Sequence, residues 1–152
     1  MREINLSGGH LAGLMQAVLE KNACFRFKAR GHSMAPFIRD GDVITLAPAG
    51  GRRVGVGDVV AVVNGTAGSV IVHRIVAIKG GAFVVKGDNC RKPDGVFTAE
   101  QILGVARVVE RNGRTAWFAS GPEKRLVAVL SRTGILNRIL LPGLREVRSA
   151  KF

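Results

Sequence analysis

From Phe25 to Ala119 the chain is a series of brief β-branched runs, each closed by glycine or a turn dipeptide, and no other feature limits its fold as strongly. The runs are Phe25–Ala29, Asp42–Ala47, Asp58–Val63, Ser69–Ile78, Ala82–Lys86, Gly104–Glu110 and Arg114–Ala119, short enough and polar enough at their ends to be strands rather than helices. Asn64-Gly65, Gly80-Gly81 and Asn112-Gly113 supply residues that tolerate positive φ between successive strands. With 47% apolar and 22% charged residues the composition is that of an ordinary globular protein, so the 20 glycines mark turns, not disorder. The expectation is a mainly β, antiparallel unit.

Two helical segments flank this core. Leu11, Leu14, Met15, Val18 and Leu19 recur at helical spacing and predict a short amphipathic helix over about residues 9–22, with Ser7 as an acceptable cap. After Gly121-Pro122, a pair well placed to open a helix, the sequence becomes apolar with interspersed arginines until Pro142. Arg132 and Arg138 interrupt the run from Leu126 to Leu141, which makes it a poor membrane span and a better interfacial helix. The 152 residues suit one folding unit, read as a body over 1–120 and a basic, apolar helical tail over 121–152 packed on the same domain.

The formal charge of +12 creates a field that attracts phosphate surfaces, although basic residues also serve plain solubility. From Arg111 onward nine basic residues face two acids, so the tail is the candidate contact for an anionic membrane. Nucleic acid is a poor partner because there is no tyrosine and only Trp117 for a stacking platform. Cys24 and Cys90 alone cannot build a disulfide framework or a four-cysteine zinc site, and no metal or cofactor is expected. The N-terminus lacks a basic region followed by a long apolar core, which predicts a cytoplasmic protein with peripheral membrane contact as its further option.

The stretch carrying chemistry is Gly31-His32-Ser33-Met34-Ala35-Pro36, followed by Gly41-Asp42. Ser33 falls where a strand gives way to a tight turn, but a serine hydroxyl is a poor nucleophile without a base. Of the three histidines only His73 lies within a strand, where it shares a face with Ile71 and Ile75; its ordinary reading is a satisfied core residue. An acid must accept the other ring proton. Asp88 and Asp94 stand in the turn-rich loop after the next strand, which hairpin connectivity returns toward His73, though both are also good turn residues.

These residues resemble the type I signal peptidases, especially their archaeal, endoplasmic-reticulum and sporulation branch. Its boxes read here Ser33-Met34-Ala35-Pro36, Gly41-Asp42, Gly57-Asp58, His73-Arg74-Ile75-Val76 and Gly87-Asp88-Asn89 with Asp94. The Gly-x-Ser-Met stretch is similar to the self-cleaving LexA and UmuD proteins. The resemblance implies an antiparallel coiled sheet or partly open barrel, Ser33 as nucleophile, His73 as general base where the bacterial branch has lysine, and Asp94, or else Asp88, as the orienting acid. It implies a polypeptide substrate bound as an extended strand, with small side chains seated in shallow pockets near Met34, Gly31 and Pro36. Gly31 departs from the serine that often helps bind the oxyanion, leaving more of that task to the Ser33 N–H, and one such donor is worth roughly 3 kcal/mol. Histidine suits the role of base because its reference pKa of about 6.5 lies near working pH, while lysine at about 10.4 needs heavy desolvation; Lys79 and Lys86 are the lysine alternatives.

The expected activity is a serine endopeptidase cutting a leader or signal-like segment of another polypeptide. A self-processing regulator would need a reachable bond, and Ala12-Gly13, the one Ala-Gly pair before the nucleophile, lies inside the predicted helix. A non-catalytic basic binding protein is the third reading.

Overall fold

The fold is described from a computed structural model for residues 8–50, 53–65, 68–116 and 124–134. Helix α1 (Gly8–Glu20) leads into strands β1 (Phe25–Lys28), β2 (Val43–Pro48), β3 (Val59–Asn64), β4 (Ser69–Lys79), β5 (Ala82–Lys86), β6 (Gly95–Phe97), β7 (Ile102–Arg111) and β8 (Arg114–Ala116), and α2 spans Lys124–Thr133. All strands belong to one antiparallel sheet in the order β1-β2-β7-β3-β4-β5-β6, with β8 added to β7. Register shifts at Thr45/Leu46, Ala61/Val62 and Ile75/Ala77 bend and twist their strands, and the sheet curls into a half-barrel.

The run VVAVV in β3 is wholly apolar and SVIVHRIV in β4 is apolar apart from Ser69, His73 and Arg74, and every residue of both but Val63 is buried, as in strands covered on both faces. Val59, Ala61, Val70 and Val72 point into a core with Met15 and Leu19 of α1, Ile44, Leu46, Ala106 and Val109. The alternate residues Val60, Val62, Ile71 and Ile75 join Val85, Phe97, Ile102 and Val105 on the other side. His73 and Arg74, mid-strand in β4, therefore project to opposite faces, each through a buried layer.

The hairpin turns follow their dipeptides: Gly80 and Gly81 have φ of 55° and 80°, and Asn112 and Gly113 have 51° and 73°, as a two-residue loop matched to strand twist requires. Two points differ from expectation. On α1 the core face is Ala12, Met15 and Leu19, while Leu14 is 45% exposed, because the helix lies on the sheet through a narrower stripe than its leucines suggest. Strand β6 was not foreseen; it is three residues long and its Val96 points outward. The last strand of the described residues, β8, ends at Ala116, and positions 117–119 lie outside the described residues, as do Ser7, Pro122 and the tail from 135 onward. Within α2, Val127, Ala128 and Ser131 are buried and the helix packs on β4. Among the described residues no helix is long and apolar enough to cross a membrane.

Candidate active site

The excursion between β1 and β2 is pinned at its base, where Ala29 N–H donates to the Asp42 carbonyl and Gly41 N–H to the Ala29 carbonyl. Asp40 caps its entry by accepting the Gly31 N–H at 2.8 Å. A tight turn follows, in which Ala35 N–H donates to His32 O and Ile38 N–H to Met34 O. Asp42 closes it by accepting the Arg39 N–H and Nε and Nη2 of Arg111, and that pairing raises the Arg111 guanidinium above its ordinary range. Ser33 heads this turn, 3% exposed.

The Gly87–Gly95 loop packs directly on it. Asn89 N–H donates to the Ser33 carbonyl at 2.8 Å, and the Asn89 side chain donates to the His32 carbonyl at 3.1 Å. Gly87 has no space for a side chain: a Cβ would lie 2.6 Å from Cys90 Sγ, 2.8 Å from the Ser33 carbonyl and 3.0 Å from His73 Nε2. Glycine is what lets the chain leaving β5 pass beside the Ser33 main chain and the His73 ring.

His73 is fully buried. Its Nε2 lies 2.9 Å from Ser33 Oγ and its Nδ1 lies 2.5 Å from Asp94 Oδ2, with Asp94 held in place by its own N–H on the Val85 carbonyl. An ionised carboxylate only accepts, so the ring proton belongs on Nδ1 and Nε2 is left to accept the serine hydroxyl proton. Residues separated by 40 and 21 positions thus form a continuous donor–acceptor line that can move a proton from an alcohol to an imidazole.

The loop's other acid is engaged elsewhere. Asp88 takes Arg74 Nε at 2.9 Å on one oxygen and Nη2 at 2.8 Å on the other. Arg74 Nη1 donates to the Gly57 carbonyl at 2.9 Å, and the guanidinium sits 5.5 Å over the Phe37 ring. Asp88 N–H meets Met34 Sδ, and Met34 lies in the core, 4% exposed; Gly31 and Pro36 are half-buried beside it.

Of the two lysines, Lys79 is exposed at the end of β4, and Lys86 is 2% exposed with Nζ donating to the Ser131 carbonyl at 2.6 Å. Burial pushes the Lys86 ammonium below its ordinary pKa, and the charges of Asp88, Cys90 and Asp94 offset part of the shift. Sequence reasoning missed the Arg74–Asp88 pair. The available signal was an arginine inside an otherwise apolar strand, where a buried charge demands a partner. Among the described residues no three His, Cys, Asp or Glu side chains gather as a metal site.

No curated protein matches this chain. The Peptidase S24-like family model matches residues 5–109, a span running from the start of α1 through most of β7.

Proposed function

The chain belongs to the Peptidase S24-like family, and from that premise we infer that it is a serine endopeptidase of the histidine-using, signal-peptidase-like kind that cleaves a leader or signal-like segment of another polypeptide. The observation that carries this reading is the line Ser33 Oγ, His73 Nε2, His73 Nδ1, Asp94 Oδ2, with separations of 2.9 and 2.5 Å, within the reach that nucleophile–base and base–orienter pairs need.

As Ser33 Oγ bonds to the scissile carbonyl carbon, its proton passes to His73 Nε2, and Asp94 stabilises the imidazolium that forms. The imidazolium returns the proton to the leaving nitrogen as the C–N bond breaks, leaving an acyl ester on Ser33. A water molecule, deprotonated by His73, then splits the ester and restores the hydroxyl. Gly31 has no side-chain donor for the oxyanion, so the Ser33 N–H has the larger share of that stabilisation. The lysines do not compete for the role of base, since the Lys86 ammonium is engaged with Ser131 and Lys79 is exposed.

Cleavage of another chain is favoured over self-processing by the position of Ala12-Gly13. This bond lies in the first half of α1 (Gly8–Glu20) with Ala12 buried in the core, whereas a peptidase substrate binds extended.

The test is acylation by a fluorophosphonate probe together with profiling on small-residue leader peptides, using wild type and Ser33→Ala. Wild type should be labelled at Ser33 and cut peptides, with both signals lost in the variant; equal behaviour of the two proteins would end this reading.

A further inference from the structure

Helix α2 is tied at one end to the turn before β3 and at the other to the end of β5, the two strands that flank β4 and its His73. At its N-terminal end Lys124 Nζ donates to Asp58 Oδ1 at 2.5 Å, and the Lys124 backbone presses on Gly57, where a Cβ would come within 2.7 Å of the Lys124 carbonyl carbon and oxygen. At its C-terminal end Lys86 Nζ donates to the Ser131 carbonyl at 2.6 Å. That carbonyl, which also accepts the Gly134 N–H at 3.2 Å, belongs to the last turn, where helix carbonyls need partners and the dipole favours a cation. Lys86 and Ser131 are 2% and 0% exposed, so a buried ammonium depends on a main-chain oxygen of α2.

Both ties lead toward the reacting groups, the Lys124 tie through Gly57 and Arg74 and the Lys86 tie through Gly87. The Gly57 carbonyl accepts Arg74 Nη1, and Arg74 directly follows His73. Lys86 directly precedes Gly87, where a Cβ would come within 2.8 Å of the Ser33 carbonyl and 3.0 Å of His73 Nε2. Were α2 to lift away, Lys86 would lose this acceptor. An unsatisfied ammonium is too costly to stay buried, so the chain would move at residue 86, directly before the glycine that has no space for a side chain beside Ser33 and His73.

We propose that α2 is part of the catalytic apparatus and that Lys86 is the positioning residue that couples it, the docked helix holding Gly87 against Ser33 and His73. The proposal rests on the peptidase reading above and extends it to a helix beyond the family match, which ends at residue 109.

The experiment uses the full chain as wild type and as Lys86→Met, which keeps an unbranched stem out to Cε and removes the ammonium. Three quantities are measured: the rate of fluorophosphonate labelling at Ser33, amide hydrogen exchange in residues 87–95 and 124–134, and circular dichroism. The expected result is retained secondary structure, faster exchange in both segments together, and labelling slowed about 10–100-fold, the scale of a sub-ångström to ångström misplacement of reacting groups. Faster exchange in α2 with unchanged labelling overturns the proposal, as does unchanged exchange in α2. If Lys86→Met does not fold, Lys124→Ala loosens the half-exposed N-terminal tie instead; the two segments should again respond together, and a response of α2 alone overturns the proposal. A wild type that is not labelled at Ser33 fails the peptidase reading itself, while joint exchange of the two segments still decides whether α2 positions the loop.

Discussion

His73 and Arg74 are consecutive on β4, both almost wholly buried at 0% and 1% exposure, and each holds one carboxylate of the same loop. Their surroundings differ in what they can do with a proton. Arg74 is a permanent cation whose donors are committed to both Asp88 oxygens and the Gly57 carbonyl, so this set has no proton to exchange at ordinary pH. His73 has a carboxylate on one nitrogen and a hydroxyl on the other, a set with a transferable proton. The strand thus separates holding from reacting by its period of two, one residue to each face. Because Asp88 is matched by a fixed cation, the loop is anchored independently of Asp94, whose carboxylate serves the imidazole.

That contrast breaks hardest at Asp94. Replacing it by asparagine keeps the shape but inverts the preferred ring proton, and turnover should fall by about 10³–10⁴ with little change in Tm; a smaller loss than tenfold in peptide cleavage would assign the orienting role elsewhere. Arg74→Met should do the reverse. It leaves Asp88 buried without its partner, a loss of about 3–5 kcal/mol readable as a lowered midpoint in urea, and adding Asp88→Leu should recover most of it because no unpaired charge remains. Gly87→Ala lies between the two, since its Cβ must push on the Ser33 carbonyl, Cys90 and His73. Overpacking of this kind costs about 1–3 kcal/mol, and both stability and labelling should suffer. If only stability falls, Gly87 is a packing residue and the line between holding and reacting runs between it and His73.

Local chemistry explains which parts were legible in the sequence. The hairpins at Gly80-Gly81 and Asn112-Gly113 were readable because their dipeptides determine backbone conformation within two residues, and the strands because each run is bounded by such signals. Strand β6 was not, since three residues, Gly95–Phe97, are too few to show a period. The positions of Ser33 and His73 could be marked from residue types, but nothing in a turn-rich loop distinguishes Asp88 from Asp94. What divides them is the pleat of β4, which sends their partners to opposite faces, and that is a property of the assembled sheet. The ties of α2 were invisible for a similar reason: Lys86 and Lys124 look like any of the chain's 23 basic residues until a helix from the far end is laid over them.

Lys86 sharpens the comparison further, because it stands directly across the ladder from Arg74 and so places a second cation beside the first. Arg74 cannot release its charge, but Lys86 can. Burial lowers its pKa in the folded state, with Asp88, Cys90 and Asp94 offsetting part of the shift, while the unfolded chain keeps the ordinary value of about 10.4. Between the lowered folded value and the ordinary one the unfolded state binds more protons, so stability rises with pH across that interval. Below it the full cost of the buried ammonium is present; above it the cost is gone. In urea unfolding at a series of alkaline pH values, the stability of wild type relative to Lys86→Met should therefore climb as pH approaches the ordinary lysine range. The effect is small because the Ser131 carbonyl already satisfies the ammonium. A difference that stays flat with pH would mean that Lys86 keeps its proton as firmly as Arg74 does, and that β4 and β5 carry two fixed charges side by side.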